Sequence, residues 1–288
     1  MRSSAPSKFS LFFATAAAML AVPTLVGANP AVSHPTTTSN LVARTGSLNP
    51  VGILLNTFHL SNPVPQTNAQ RMARGLPPNR PRFQHSGQPP LSIHSSASPA
   101  PGACNTLTGT LHVAGTGIDP NTFVSRVPNQ YGEYGVTTDT GDALRVQFTT
   151  CNTGLPLDLV TLNGIADFTL LGGITGYGSS SSDLTTGSDN YAYLGGTTQT
   201  APHAHPSAGD SSYSFATGMA ENEESAIWQV DAASGAVIAR WINSDGGAPT
   251  TYLVYNTANN VIVLTADPGA FAANFGPGPT VTLTFVEG

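Results

Sequence analysis

Charge is scarce in this sequence: 9% of its 288 residues carry one, and Lys8 is the single lysine. Long solvent-facing helices laced with Glu–Lys pairs are thereby excluded. Acids are missing from the first 100 residues, which hold seven Arg or Lys, whereas all sixteen fall in 101–288 beside only Arg126, Arg145 and Arg240. Sixteen acids against three arginines leave that part near −13, which excludes a nucleic-acid footprint there. The basic part is too sparse and proline-broken to form one. The two cysteines have no C-x-x-C spacing, and the chain has no N-x-[ST] sequon, no G-x-S-x-G elbow and no phosphate-cradling glycine loop. Redox-dithiol chemistry, N-glycosylation, α/β-hydrolase catalysis and nucleotide binding lose their usual signatures, and no cofactor is expected.

What is present begins with an export pattern. Arg2 and Lys8 flank the start of "FSLFFATAAAMLAVPTLV", and Val26-Gly27-Ala28 supplies small residues for cleavage after Ala28. Residues 1–28 therefore read as a signal peptide of a secreted, extracellular protein. A membrane anchor is the competing reading of that run, disfavoured by its alanines and Pro23. An oxidising compartment makes a Cys104–Cys151 disulfide the simplest fate of the two cysteines, worth about 4 kcal/mol in the chain-entropy model.

From 29 to 102 the composition is that of a disordered, Pro/Ser/Thr-rich tail or propeptide: "NPAVSHPTTTSN", "GLPPNRPRFQHSGQPP", "HSSASPAPG". One apolar patch, "VGILLNTFHL", has the look of a propeptide's contact with the domain. Arg71-Met72-Ala73-Arg74 has R-x-x-R spacing, which marks Arg74 as a candidate processing site. The Ser/Thr/Pro runs equally suit O-linked sugars on a stalk.

Residues 103–288 read as one all-β domain, a β-sandwich or jelly roll. In "ALRVQFTT" Leu144, Val146 and Phe148 alternate with Arg145, Gln147 and Thr149, and "TVTLTFV" does likewise. Short β-rich runs such as "LDLVTLNG", "TTYLVYN" and "NVIVLTA" add further strands. One short helix is expected near the C-terminus, where Asp267-Pro268 supplies a cap and first-turn proline and Phe271 and Phe275 share a face. "GYGSSSSDLTTGSDN" reads as a flexible loop.

"IWQVDAASGAVIARWINSDGG" holds both tryptophans, Trp228 and Trp241. The pattern suggests a propeller blade but occurs once, without the period a propeller needs. A hairpin fits better. Pairing Val230 with Ala236 would send the indoles to opposite faces, so burying both requires a shifted register or a bulge, which Gly235 can supply. The alternative is that Trp228 or Trp241 stacks on a sugar ring.

The run "SAIWQVDAASGAVIARWINSDGGAP", with "YLVYN", "VIVLTAD", "AFAANFGPGPTVTLTFV" and the tail's "ARGLPPNRPR", resembles a group of uncharacterised secreted proteins from mushroom-forming fungi. The resemblance spans most of 70–288. It implies secretion and a single β-domain and brings no activity with it.

Candidates for chemistry are few. His203 and His205 share metal-like i, i+2 spacing, but prolines flank them and Asp210 would have to complete a zinc set. Asp245 in "NSDGG" suits a turn better than calcium. "GDSS" at 209–212 is similar to the nucleophile segment of one esterase superfamily, yet no histidine follows His205. Glu221, Glu223 and Glu224 are the acids that carboxylate catalysis would use; otherwise "ENEES" is a solvated acidic loop. The expected function is thus a non-catalytic binding or structural β-domain associated with cell-wall polysaccharide. The alternative is a carboxylate-dependent hydrolase, either glycosidase or acid peptidase.

Overall fold

The computed structural model describes residues 46–61, 104–150, 155–231 and 233–288, all within a unit running from Val42 to Gly288. Residues 1–28, expected to be a signal peptide, and Arg74 and Cys151 lie outside the described residues. Fourteen strands are seen: β1 (Asn105–Gly115), β2 (Phe123–Val124), β3 (Val136–Thr137), β4 (Arg145–Thr150), β5 (Leu159–Thr161), β6 (Leu170–Thr175), β7 (Tyr191–Thr197), β8 (Ser207–Ala208), β9 (Asn222–Glu224), β10 (Trp228–Val230), β11 (Ala236–Ala239), β12 (Tyr252–Asn256), β13 (Val261–Thr265) and β14 (Thr280–Glu287). Helix α1 (Ser212–Thr217) precedes β9, and α2 (Pro268–Phe275) precedes β14.

Every strand pairing is antiparallel. The path β14–β12–β13–β7–β6–β5–β4–β1 closes on itself, because β1 also pairs with β14 from Gly109↔Glu287 to Gly115↔Val281. Eight strands therefore form a closed circuit, to which β2–β3, β8–β9 and β10–β11 are added. The all-β expectation holds.

Period-two alternation explains which way each strand faces. Val146 and Phe148 in β4, and Val281 and Leu283 in β14, are buried, while Arg145, Thr149, Thr280 and Thr282 face solvent. In β7 and β13 both sets are buried, one on each face. Ala192, Leu194, Ile262 and Leu264 join the inner core, and Tyr191, Tyr193, Val261 and Val263 join a second, outer core. Phe271 of α2, Tyr213 of α1 and Leu48 cover that outer face.

The helix expected at Asp267 forms as read. Asp267 Oδ1 accepts from the N–H groups of Gly269 and Ala270 at 3.0 and 2.9 Å, and Phe271 and Phe275 both meet the Tyr191 ring. The second helix, α1, corrects the expectation of a single one. Ser211 caps it by accepting from the Ser214 N–H at 3.1 Å, a Ser-x-x-Ser start too short to show helical periodicity.

Two further expectations change. The stretch from 29 to 102 is not disordered throughout: Gly46–Ser61 lies along the domain as a strap, bent at Leu48–Asn49 and Gly52, with Leu48, Asn49 and Pro50 buried. "GYGSSSSDLTTGSDN" is a pinned loop rather than a flexible one. Asn190 binds Ser180, Ser181 and Asp183, and Asn243 exchanges two hydrogen bonds with Leu184.

Candidate functional site

The tryptophan hairpin resolves the register question in favour of a one-residue shift. Trp228 pairs with Ala239 and Val230 with Val237, not with Ala236. The extra loop residue is accommodated by Gly235 at φ +73°, in the left-handed region. Both indoles are fully buried, with N–H groups donating to the carbonyls of Leu171 (2.6 Å) and Ser182 (2.8 Å). Neither ring offers a face to a sugar.

The glutamates of "ENEES" are not a solvated acidic loop. Glu223 and Glu224 are buried in β9, which pairs with β6 and β8. Adjacent strand residues point to opposite faces, and the two carboxyls diverge accordingly. Glu223 accepts from the N–H and hydroxyl of Thr198. Glu224 accepts from the Ile242 N–H at 3.2 Å and so ties β9 to the segment carrying Trp241. Burial pushes the Glu224 carboxyl up to about 9 and raises Glu223 as well. Both serve the scaffold.

Glu221 faces a different neighbourhood, where its charge is felt by Tyr191 and Tyr213. The same two phenols feel Glu133, a residue not among the candidates read from the sequence. Glu133 is fully buried, and its Oε2 accepts from the side-chain amides of Asn129 (2.7 Å) and Asn49 (3.1 Å). Desolvation pushes it up to about 8 against those two hydrogen bonds. Around it stand Tyr191 and Tyr193, edge to face at 5.2 Å, and Tyr213, stacked on Tyr193 at 5.1 Å. All three hydroxyls are held neutral by burial. The signal that would have found Glu133 is faint: one acid between glycines and tyrosines in "YGEYG", with no cation near it in the sequence.

The remaining candidates fall elsewhere. His203 sits at φ +62° in a turn closed by Ala204 N–H to the Ala201 carbonyl at 3.0 Å, and both His203 and His205 are exposed. Proline at the second turn position and a left-handed third residue make this a type II turn, so the histidines do not share a strand face. Among the described residues no three His, Cys, Asp or Glu side chains are grouped to hold a metal. Asp245 closes its own turn by accepting from the Gly247 N–H at 2.8 Å. In "GDSS", Ser212 is buried between the Gly132 carbonyl (2.6 Å) and the Gly196 N–H (2.9 Å), a structural bridge with no histidine partner.

Beside the Glu133 cluster, a cavity of about 360 Å³ opens between the loops before β3 and after β12, lined by Asn129, Gln130, Tyr131, Ala258 and Asn259. Its lining carries three amides and one phenol; Asn129 is bound to Glu133, Asn259 and Tyr131, Asn259 Nδ2 donates to Asn256 and the Tyr131 hydroxyl to Pro50. Comparison with protein-family models, with curated proteins and with solved structures found no match for the chain.

Proposed function

We propose that this is a secreted, extracellular, non-catalytic β-domain that binds cell-wall glycan, related to the secreted proteins of mushroom-forming fungi that its C-terminal run resembles. We further read the closed circuit as flattened into two facing halves, in the manner of a β-sandwich. The observation that carries the function is the amide-lined cavity at Asn129, Gln130, Tyr131 and Asn259. The Asn129 amide is taken up by Glu133, Asn259 and Tyr131, so the Gln130 amide, Asn259 Oδ1 and the Tyr131 ring are the groups to meet the hydroxyls and apolar ring faces of a sugar. Tyr131 is fixed for that role, since its hydroxyl donates to the Pro50 carbonyl at 2.9 Å and its N–H to Asn129 Oδ1 at 3.0 Å.

A second reading, the carboxylate-dependent hydrolase, is favoured by one observation: the charges of Glu133 and Glu221 both raise Tyr191 and Tyr213. A paired assay separates the two. The secreted chain is incubated with insoluble wall polysaccharides, and with glycan and protein substrates at acidic pH. Retention on the solid without turnover, weakened by Asn259→Ala, supports the binder. Turnover that Glu133→Gln or Glu221→Gln abolishes installs the hydrolase instead.

A further inference from the structure

The strap Gly46–Ser61 is held in the way a bound peptide is held. Its main chain is recognised along its length. The Leu48 carbonyl accepts from the hydroxyls of both Tyr191 and Tyr193, and the Pro50 carbonyl from Tyr131. The Asn56 N–H donates to Ala216, the Ser61 N–H to Gly164, and the His59 carbonyl accepts from Ala166. Two side chains anchor it. Leu48 enters the outer core, and Phe58 packs on Phe215 at 5.6 Å over Gly132, where a Cβ would stand 2.6 Å from the Phe58 ring. Main-chain hydrogen bonds combined with spaced side-chain pockets are how sheet proteins recognise extended peptides.

The pocket beneath Leu48 and Asn49 is sealed without being saturated. Asn49 Oδ1 and Glu133 Oε1 are buried there with no hydrogen-bond partner among the described residues. Native interiors rarely leave two such atoms together, because each carries a desolvation cost. A permanent structural strand would be expected to satisfy them; an exchangeable occupant need not. The R-x-x-R spacing at Arg71–Arg74 lies between the strap and the domain in sequence. A cut there would leave the strap attached by these contacts alone.

We propose that the outer face of β7 bearing Tyr191 and Tyr193, with Tyr131, Glu133 and Tyr213, is a binding cleft for peptides, filled in cis by Gly46–Ser61. Its ligand class is a segment with a leucine-sized anchor followed by an asparagine, a bend at the position of Gly52, and an aromatic anchor about ten residues on, a span of at most roughly 33 Å. This cleft shares Tyr131 with the amide-lined cavity but does not rest on the glycan reading.

The test uses the full chain and a fluorescent synthetic peptide of sequence 46–61. Leu48→Asp should unseat the strap in cis and let the labelled peptide bind in trans, saturably and at least tenfold more tightly than to the unaltered chain. Phe58→Ala, a milder change at the other anchor, should do the same to a smaller degree, and a scrambled peptide should bind neither. Folded variants, shown by near-ultraviolet circular dichroism, that fail to bind the peptide overturn the proposal. Equal binding to the unaltered chain also overturns it, since the peptide is then landing elsewhere. If both variants lose cooperative melting, the strap is an integral strand and the cleft reading falls. Retention on polysaccharide is followed on the unaltered chain, whose strap still holds Tyr131 through Pro50, and so fails or holds separately.

Discussion

Trp228 stands opposite Ala239 in the β10–β11 ladder, and its indole N–H donates to the Leu171 carbonyl at 2.6 Å. The pairing puts Trp228, Ala239 and Trp241 on one face, and the hydrogen bond ties the hairpin to β6 across the inner core. Emission from both tryptophans should therefore be blue-shifted and resistant to iodide. Trp228→Phe keeps most of the apolar volume but leaves the Leu171 carbonyl unpaired, at a cost of about 1–3 kcal/mol. Urea titration should show that loss as a lower midpoint at unchanged slope; a red-shifted, quenchable emission in the unaltered chain contradicts the burial.

Stability should fall as pH rises. Glu133 and Glu224 hold their protons more tightly folded than unfolded, with folded values of about 8 and about 9 against 4.5. Below the unfolded value both states are protonated and the folded state carries no penalty. Through the window from there to the folded values the unfolded chain is the one that ionises. Stability then drops by up to about 1.4 kcal/mol per pH unit for each group, and levels off above. At the acid end Asp231 and Asp267, both lowered by hydrogen bonding, lose their contribution as pH falls below their ordinary range. The melting temperature should peak at about pH 4–5 and decline to pH 8.5. Glu133→Gln should flatten part of that decline, and a Tm that rises over the same range contradicts it.

Gly173 allows the close approach of β6 to the hairpin: a Cβ there would sit 2.6 Å from the Trp241 ring. Trp241 is fully buried and has no room to retreat. Gly173→Ala should cost about 1–3 kcal/mol by overpacking, although alanine suits a strand better than glycine. Calorimetry on the single variant checks it, and a neutral or stabilising result means that the ring can shift.

Register brings the neighbours of the two cysteines together. Asn105 pairs with Thr150 at the end of the β1–β4 ladder, and the next residues outward in sequence are Cys104 and Cys151. A disulfide joining them is the expected outcome. Intact mass before and after reduction and alkylation should differ by two labelled thiols. Reduction should lower stability by up to about 4 kcal/mol; labelling without reductant contradicts the bond.

Where one face of a strand is buried, its side chains announced it. Leu144, Val146 and Phe148 alternate, and they are inside. β7 was harder, because "YAYLGGT" is buried on both faces and shows no alternation to read. Its second face is covered by α1, α2 and a strap more than 120 residues away in sequence, contacts that no local pattern encodes. The same non-locality hid the site. Glu133 matters because Asn49 reaches it across 84 positions, and a lone acid in a glycine-tyrosine stretch carries no mark of that. Conversely, "ENEES" read as solvated because its charges are adjacent, whereas strand geometry sends Glu223 and Glu224 to opposite sides and buries both. Capping chemistry is local, and at Asp267 it was legible.

The circuit's closure bears on how the chain reaches its native state. β14 pairs with β1, β11 and β12, so the strand that seals the ring is also the one made last among the fourteen. Pairing β1 with β14 joins residues about 170 positions apart, a contact whose loop-closure entropy must be met before it rewards the chain. Until then β1, β11 and β12 present open edges, and open edges invite pairing between molecules. Synthesis and folding are thus coupled at one point: a ribosome stalled short of Thr280 would hold a sheet unable to close, and aggregation during production should respond most to changes in β14.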